Sequence, residues 1–312
     1  MTAVAITAAI CTYRGGPSLR GALASLAKQD LAAERYRVIV VDNAPEQLES
    51  TYELSGPSAN VRWLRAPSVG LSNARNMAAS ACGTPLIAFL DDDAVASADW
   101  LGAFIATFES FGEQLFAAGG RVDALWMAPR PPWLPDELLG HLSLIDWGGK
   151  RRLLDADEWI AGTNMAFRVA ALNRVGGFSN KFGRCGGEEV LLSNEENDVV
   201  SRLRQQGGEI AYVPDAIVQH IISPERLTQD WIRRRVVWQA VSDYMQRPQE
   251  LFGRVGGHRS AVERFISSLP AEYQTLHSFS IEQSDPEVFR RQMAALYSHT
   301  ISLLTGFHGG DG

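Results

Sequence analysis

A chain of 312 residues has room for one large domain, or one domain with a smaller appendage. Hydrophobic residues make up 46% and charged residues 21%, so an ordinary buried core can form. The net charge of −7 argues against a general nucleic-acid binder, and Cys11, Cys82 and Cys185, widely spaced with no CxxC pair, argue against a disulfide framework or structural zinc. A reducing cytoplasm is the expected setting.

The apolar first ten residues have no Lys or Arg ahead of them and run straight into Thr12-Tyr13-Arg14. They are read as the first strand, over 3–12, and not as a signal peptide. Pro17 then opens a helix with Leu19, Leu23 and Leu26 on one side. Strands follow at RVIVVD (37–42), VRWLR (61–65) and LIAFLD (86–91), with a helix at 72–82 stopped by Gly83. Ser97 is the expected cap of a helix that turns Trp100, Leu101, Phe104, Ile105 and Phe108 inward. Strands alternating with helices predict an α/β fold with a mostly parallel sheet.

Residues 126–152, rich in Pro and Trp without a clear period, read as a long ordered flap between strands at FAAGGRV and TNMAFR. A helix is expected over 193–208, capped by Asn194 or Ser193, then strands at 209–213 and 216–222 split by Pro214. From about Pro224 the chain turns helical and Arg-rich. The predicted division is therefore an α/β domain over 1–223 and a helical extension over 224–312. No apolar run approaches the roughly 18 residues of a membrane-spanning helix.

Ligands of such sheets bind at the carboxyl ends of the strands. Thr12-Tyr13, Asp42-Asn43 and Asp91-Asp92-Asp93 all fall there. Three consecutive carboxylates behind an apolar strand are costly without compensation, and Mg²⁺ or Mn²⁺ held by one or two carboxylates plus substrate phosphates would supply it. A solvated turn is the competing reading. On the helix near 194, Glu196 shares its stripe with Val199, Val200 and Leu203, whereas Glu195 lies with Asp198 and Arg202 on another face. Glu196 is thus the inward acid and a candidate general base, although a plain first-turn acid favoured by the helix dipole is the stronger reading of the pattern alone. His220 could complete a metal's ligand set, a satisfied structural histidine being the commoner case, and Arg75 could face a diphosphate or be a solvated helix residue.

The order of these pieces resembles glycosyltransferase family 2, with its GT-A fold, from about residue 3 to 222. The segments that carry the likeness are the strand ending in Thr12-Tyr13, RVIVVDNA, VGLSNARNMAASACGTPLIAFLDDDAVASADWL, AGTNMAFRVAALNRVGGF and EENDVVSRLRQQGGEIAYVPDAIVQH. The resemblance implies an inverting transferase that moves a sugar from a nucleotide diphosphate, usually a UDP-sugar, to an acceptor hydroxyl. It implies that Thr12, Tyr13 and Asp42 hold the base, with Arg14 and Asn43 in the same nucleotide-binding set, and that Arg75 contacts the nucleotide. Asp91 and Asp92 would bind ribose or metal waters. Asp93 would ligate Mn²⁺ or Mg²⁺, with Asp91 and His220 as further candidates. Glu196 falls where the family usually has a catalytic Asp, a departure of one methylene that leaves Glu195 in play. Asn43 replaces a commoner Asp.

The acceptor is expected to be a saccharide, lipid-linked or small-molecule hydroxyl, selected by the flap tryptophans Trp126, Trp133 and Trp147 and by the loop Phe182–Gly187. A helix over 227–245 is expected to pack through Leu227, Trp231, Arg234, Trp238, Val241 and Met245. Residues 225–260 carry seven Arg and four acids. A solvated face is favoured there over an anionic-acceptor contact or a peripheral membrane patch, and homodimer contacts also fit this region. Two other functions share the features: a sugar-phosphate nucleotidyltransferase, which would release pyrophosphate, and a non-catalytic sugar-nucleotide binder. A dinucleotide oxidoreductase is disfavoured, because no GxGxxG follows the first strand.

Overall fold

The computed structural model describes residues 4–44, 61–186 and 190–308. Ala3 of the first strand, Gly187 of the glycine-rich loop and the end of the C-terminal tail lie outside them. The first half runs β1 (Ile6–Thr12), α1 (Pro17–Leu26), β2 (Tyr36–Asp42), β3 (Val61–Arg65), α2 (Leu71–Ala81), β4 (Leu86–Asp91), β5 (Ala94–Ala96) and α3 (Trp100–Phe111). It continues through β6 (Leu115–Trp126), β7 (Arg152–Leu153), β8 (Asn164–Arg168), α4 (Val169–Arg174), α5 (Glu195–Gln205) and β9 (Glu209–Ile222). The remaining helices are α6 (Gln229–Gln246), α7 (Pro248–Gly253), α8 (Val255–Ser267) and α9 (Pro286–His308).

Among the described residues the strands form one sheet in the order β3-β2-β1-β4-β8-β6-β9-β5, with β7 also on β9. Pairings among β1 to β4 are parallel; those of β8 with β4 and β6, and of β5 and β7 with β9, are antiparallel. Of the parallel strands, β1, β2 and β4 are buried on both faces, which explains their apolar runs, whereas the edge strand β3 is largely exposed. Alternate residues of β1 and β2 divide between two cores. Ile6, Ala8, Ile10, Val38 and Val40 pack with α1 and α3, whereas Ala9, Ile39 and Val41 pack with α2, α4 and α5. Pro17 sits at the first turn of α1 as expected, and Leu19, Leu23 and Leu26 are buried.

The chain divides into two compact units. One comprises Met1–Leu125, Ser143–Gly187 and Glu195–Ile221; the other comprises Trp126–Leu142, Glu188–Asn194 and Ile222–Gly312. The sequence flap over 126–152 is therefore shared between them. Within the second unit Trp133 packs edge-on against Phe289, with ring centroids 5.1 Å apart. Within the first, the Trp147 indole N–H donates to the Trp159 carbonyl at 3.0 Å. Both tryptophans anchor their segments.

Three local expectations are corrected. Asp99, not Ser97, precedes α3, and the Ser97 hydroxyl donates to the Asp99 carboxylate instead of capping the helix. The two strands expected around Pro214 are one, β9: Pro214 lies between the residues paired with β7 and those paired with β5, so neither of those two strands calls on its missing N–H. On α6 the inward residues are Ile232, Arg233, Val236 and Ala240, not the stripe through Trp231, Arg234 and Trp238. Arg233 can be buried because its guanidinium donates to Asp230, Gln229 and the Ile281 carbonyl and lies over the Phe289 ring. Hydrophobic spacing alone cannot register such a partnered charge. In the same unit the Asn194 amide, at a left-handed φ of 73°, is held by Gln239, Asp243 and Gln246 of α6.

Asn164 fixes the antiparallel half of the sheet. Its amide donates to the carbonyls of Arg121 and Ala216 and accepts from the Trp100 indole at 2.8 Å, all in the interior. Gly120 makes room for it, since a Cβ there would lie 2.0 Å from the Ala216 carbonyl oxygen. Asn164→Ala strands those three groups in the core. A loss of about 3 kcal/mol is expected in denaturant unfolding, well above a typical surface substitution.

Candidate active site

Register alone brings the strand-end residues together. Thr12 pairs with Asp42, Cys11 with Asp91 and Asp42 with Arg65, so the polar ends of β1, β2 and β4 lie side by side. The Asn43 N–H donates to the Thr12 carbonyl at 2.8 Å, and the Asn43 side-chain oxygen accepts from the Gly70 N–H at 3.1 Å, tying the end of β2 to the start of α2. The Asp42 carboxylate accepts from the Ala44 N–H. Tyr13 is 36% exposed, with the Arg14 guanidinium 5.4 Å from its ring centroid. Arg14 itself takes a left-handed φ of 68°.

Beside these ends runs the loop that follows Phe182. The Ser72 hydroxyl donates to the Phe182 carbonyl and the Leu71 N–H to the Arg184 carbonyl, so the first turn of α2 stitches the loop down. A Cβ on Gly186, whose φ is 62°, would lie 3.4 Å from the Tyr13 hydroxyl.

The three acids at the end of β4, Asp91 closing the strand and Asp92 and Asp93 after it, point to different partners. Asp91 lies 3.4 Å from Arg75. Asp92 accepts from the Thr12 hydroxyl at 2.5 Å, so that hydroxyl is committed to an acid. Asp93 lies 3.3 Å from the His220 Nε2. The short strand β5, which the sequence did not announce, causes the last contact. Ala94 pairs with His220 on β9, and the Ile221 N–H donates to the Asp93 carbonyl. Burial raises the carboxyls of Asp91 and Asp92, the latter to about 7, with the neighbouring acids adding repulsion; Arg75 counteracts this at Asp91 and Thr12 at Asp92. A third of the Asp91 side chain still meets solvent, 32%, yet protein surrounds its carboxyl densely. Burial also pushes the nearby Cys11 thiol up to about 12, so it is a neutral filler.

The sequence reading placed Glu195 on a polar helix face, but α5 buries both glutamates of its first turn. The expected pair of Asp198 and Arg202 does form, at 2.6 Å. Glu195 is instead turned onto Arg75 at 2.6 Å, 120 residues away in sequence. Arg75 is no solvated helix residue either: it is 2% exposed and lies against the edge-to-face pair of Phe89 and Phe178. Its guanidinium reaches Glu195, Asp91 and the Gly162 carbonyl. Burial works against its charge, but Glu195 and Asp91 outweigh this and raise its pKa.

The donor set suits a hard divalent cation. Asp93 and His220 offer an oxygen and a nitrogen side by side, next to the incompletely compensated charge of Asp91 and Asp92. Mg²⁺ and Mn²⁺ take few protein ligands and fill their remaining positions with phosphate oxygens and water. Among the described residues no group of three or more His, Cys, Asp or Glu side chains is placed to hold a metal.

Acids at the carboxyl ends of a half-parallel mixed sheet are thus joined, through Arg75, to the inward start of α5. The family model for glycosyl transferase family 2 matches residues 7–174. The chain belongs to that family. It is 28% identical over 207 residues to a glucosyl-dolichyl phosphate glucuronosyltransferase of Haloferax volcanii, covering 66% of this chain and 65% of that protein, under two thirds of its length. It is 29% identical over 233 residues to the succinoglycan biosynthesis protein ExoM of Rhizobium meliloti, covering 72% of this chain and 70% of that one. The fold matches the mannosyltransferase PcManGT of Pyrobaculum calidifontis, solved with GDP-Man and Mn²⁺, at a TM-score of 0.54 and 15% identity, over all of this chain and 76% of that one. The architecture is thus of GT-A type with a helical C-terminal region. Among the described residues no helix is long and apolar enough to cross a membrane.

With its carboxyl near 7 instead of the ordinary 3.8, Asp92 holds a proton in the folded state that the unfolded chain has lost. Its contribution to stability is full below about pH 4 and lost as pH rises through 7. A divalent cation favours the ionised form. Stabilisation by Mn²⁺, read as the rise in melting temperature, should therefore grow between about pH 6 and pH 8. Asp92→Asn should flatten that pH dependence.

Proposed function

We propose that this chain is an inverting glycosyltransferase that moves a sugar from a nucleoside diphosphate donor, most simply a UDP-sugar, to an acceptor hydroxyl with Mn²⁺ or Mg²⁺. The observation that supports the reading is the Arg75 bridge. One guanidinium touches Asp91 behind β4 and Glu195 at the start of α5, so a donor-side carboxylate and the candidate base helix share one locality.

In this reading Thr12, Tyr13, Arg14, Asp42 and Asn43 surround the base, Asp91 and Asp92 the ribose and metal waters, and Asp93 and His220 ligate the cation. When bound, that cation offsets the charge developing on the departing diphosphate. Glu196 takes the proton of the acceptor hydroxyl as its oxygen bonds the anomeric carbon and the bond to the diphosphate breaks on the opposite face. Inversion follows from that geometry. Glu195 is the poorer base on structural grounds. It is the closest counter-ion of a buried guanidinium, and protonating it in every turnover would leave that charge undercompensated each time. The Haloferax relative's name denotes a lipid-linked saccharide, and a saccharide, lipid-linked or free, is the proposed acceptor class.

A thermal-shift screen of nucleotide sugars with and without Mn²⁺ should reveal one donor that stabilises only with metal. With that donor, Glu196→Gln should lower transfer about 10²- to 10⁴-fold while nucleotide affinity is kept. Near-normal transfer by E196Q would remove the base from this scheme. Asp93→Asn should weaken the metal dependence of donor binding, read by calorimetry, about tenfold or more.

A further inference from the structure

We propose that Arg75 is a positioning residue of this reaction, and not a ligand of the departing diphosphate; the assignment rests on the glycosyl-transfer reading above. A leaving-group ligand must present free N–H donors to solvent. Arg75 presents almost none, being 2% exposed, with one terminal nitrogen on Glu195 at 2.6 Å and the other on the Gly162 carbonyl at 3.1 Å and on Asp91. Phe89 and Phe178, packed edge to face on each other, cover it from one side, their ring centroids 6.0 and 5.6 Å from its guanidinium carbon.

Swinging the guanidinium out would also abandon Glu195. That carboxylate is 6% exposed, and its Oε2 makes no hydrogen bond among the described residues. An uncompensated buried carboxylate is a heavy penalty for a contact that a bound cation already supplies. The chain also reserves space for the guanidinium where it stands. A Cβ on Gly162 would lie 2.7 Å from Nη2, although Gly162 has no left-handed φ that would otherwise demand glycine. Arg75 therefore acts through others. It fixes the first residue of α5 against the acid end of β4, setting the distance between the base-bearing turn and the donor-side acids.

The test measures binding of UDP, GDP and dTDP with Mn²⁺ by calorimetry. It then measures turnover of the matching sugar nucleotide as donor hydrolysis and as transfer. Arg75→Met, Arg75→Lys, Glu195→Gln, the double variant and Gly162→Ala are compared with wild type. R75M and E195Q should bind the nucleoside diphosphate within about threefold of wild type, with donor KM similarly unchanged, while kcat falls about a hundredfold or more. R75K should retain part of the turnover, and the double variant should be no worse than the poorer single one, because the pair acts as a unit. G162A, which keeps the arginine but displaces it, should change kcat and not KM; with E195Q it carries the test if R75M does not fold. A tenfold or greater loss of nucleotide affinity in R75K and G162A with kcat intact would overturn the assignment, as would unchanged kcat in every variant. Failure of wild type to bind any of the three diphosphates would instead bring down the donor reading, and Arg75's role with it.

Discussion

Concentrated negative charge at one end of a sheet is the constraint on which this architecture turns. Asp91, Asp92, Asp93, Glu195 and Glu196 come from two segments more than a hundred residues apart, and burial raises the cost of the charge on Asp91 and Asp92. The protein answers four of these acids with named partners. Arg75 meets Glu195 and Asp91, the Thr12 hydroxyl meets Asp92, and His220 stands beside Asp93. Only the first answer supplies a permanent full charge. Beside Asp92 stands a neutral hydroxyl, and beside Asp93 an imidazole.

The parallel half of the sheet was legible because its signals are local. The apolar runs of β1, β2 and β4, the proline opening α1 and the acids closing β2 and β4 need no knowledge of partners. Where the reading failed, the missing information lay in pairing. β5 is three residues long and exists as a strand only because β9 passes beside it; the same β9 runs through Pro214, which its registers with β5 and β7 leave unpaired. Neither fact can be seen in the segment itself. The interaction that places Asp93 by His220 is therefore invisible to periodicity, although the two residues could be named separately.

Buried charge misled the pattern in the same way, twice. A helical wheel counts Arg233 and Glu195 as outward because it has no term for a partner on another element. Asp230, Gln229 and the Ile281 carbonyl bury Arg233, and Arg75 buries Glu195. The wheel was correct for Glu196, Val199, Val200 and Leu203, whose burial needs no rule beyond the helical period or a helix start facing inward. One lesson follows for this fold: where a first-turn acid departs from its expected face, an arginine elsewhere in the chain is the place to look.

The segment Gly162-Thr163-Asn164 shows how the scaffold and the site are made one object. Asn164 spends its amide on the register of the antiparallel half, through Trp100, Arg121 and Ala216. Two residues earlier, Gly162 offers its carbonyl to Arg75 and withholds a side chain that would occupy the guanidinium's place. A short turn precedes β8, with the Asn164 N–H donating to the Ala161 carbonyl, so the two roles are geometrically locked. Shifting Asn164 to suit the sheet would drag the Gly162 carbonyl, and with it Arg75 and Glu195. Glycine and asparagine at this spacing are thus explained by separate demands on one turn. The first is close approach to a buried charge; the second is an amide that can satisfy a donor and two acceptors at once.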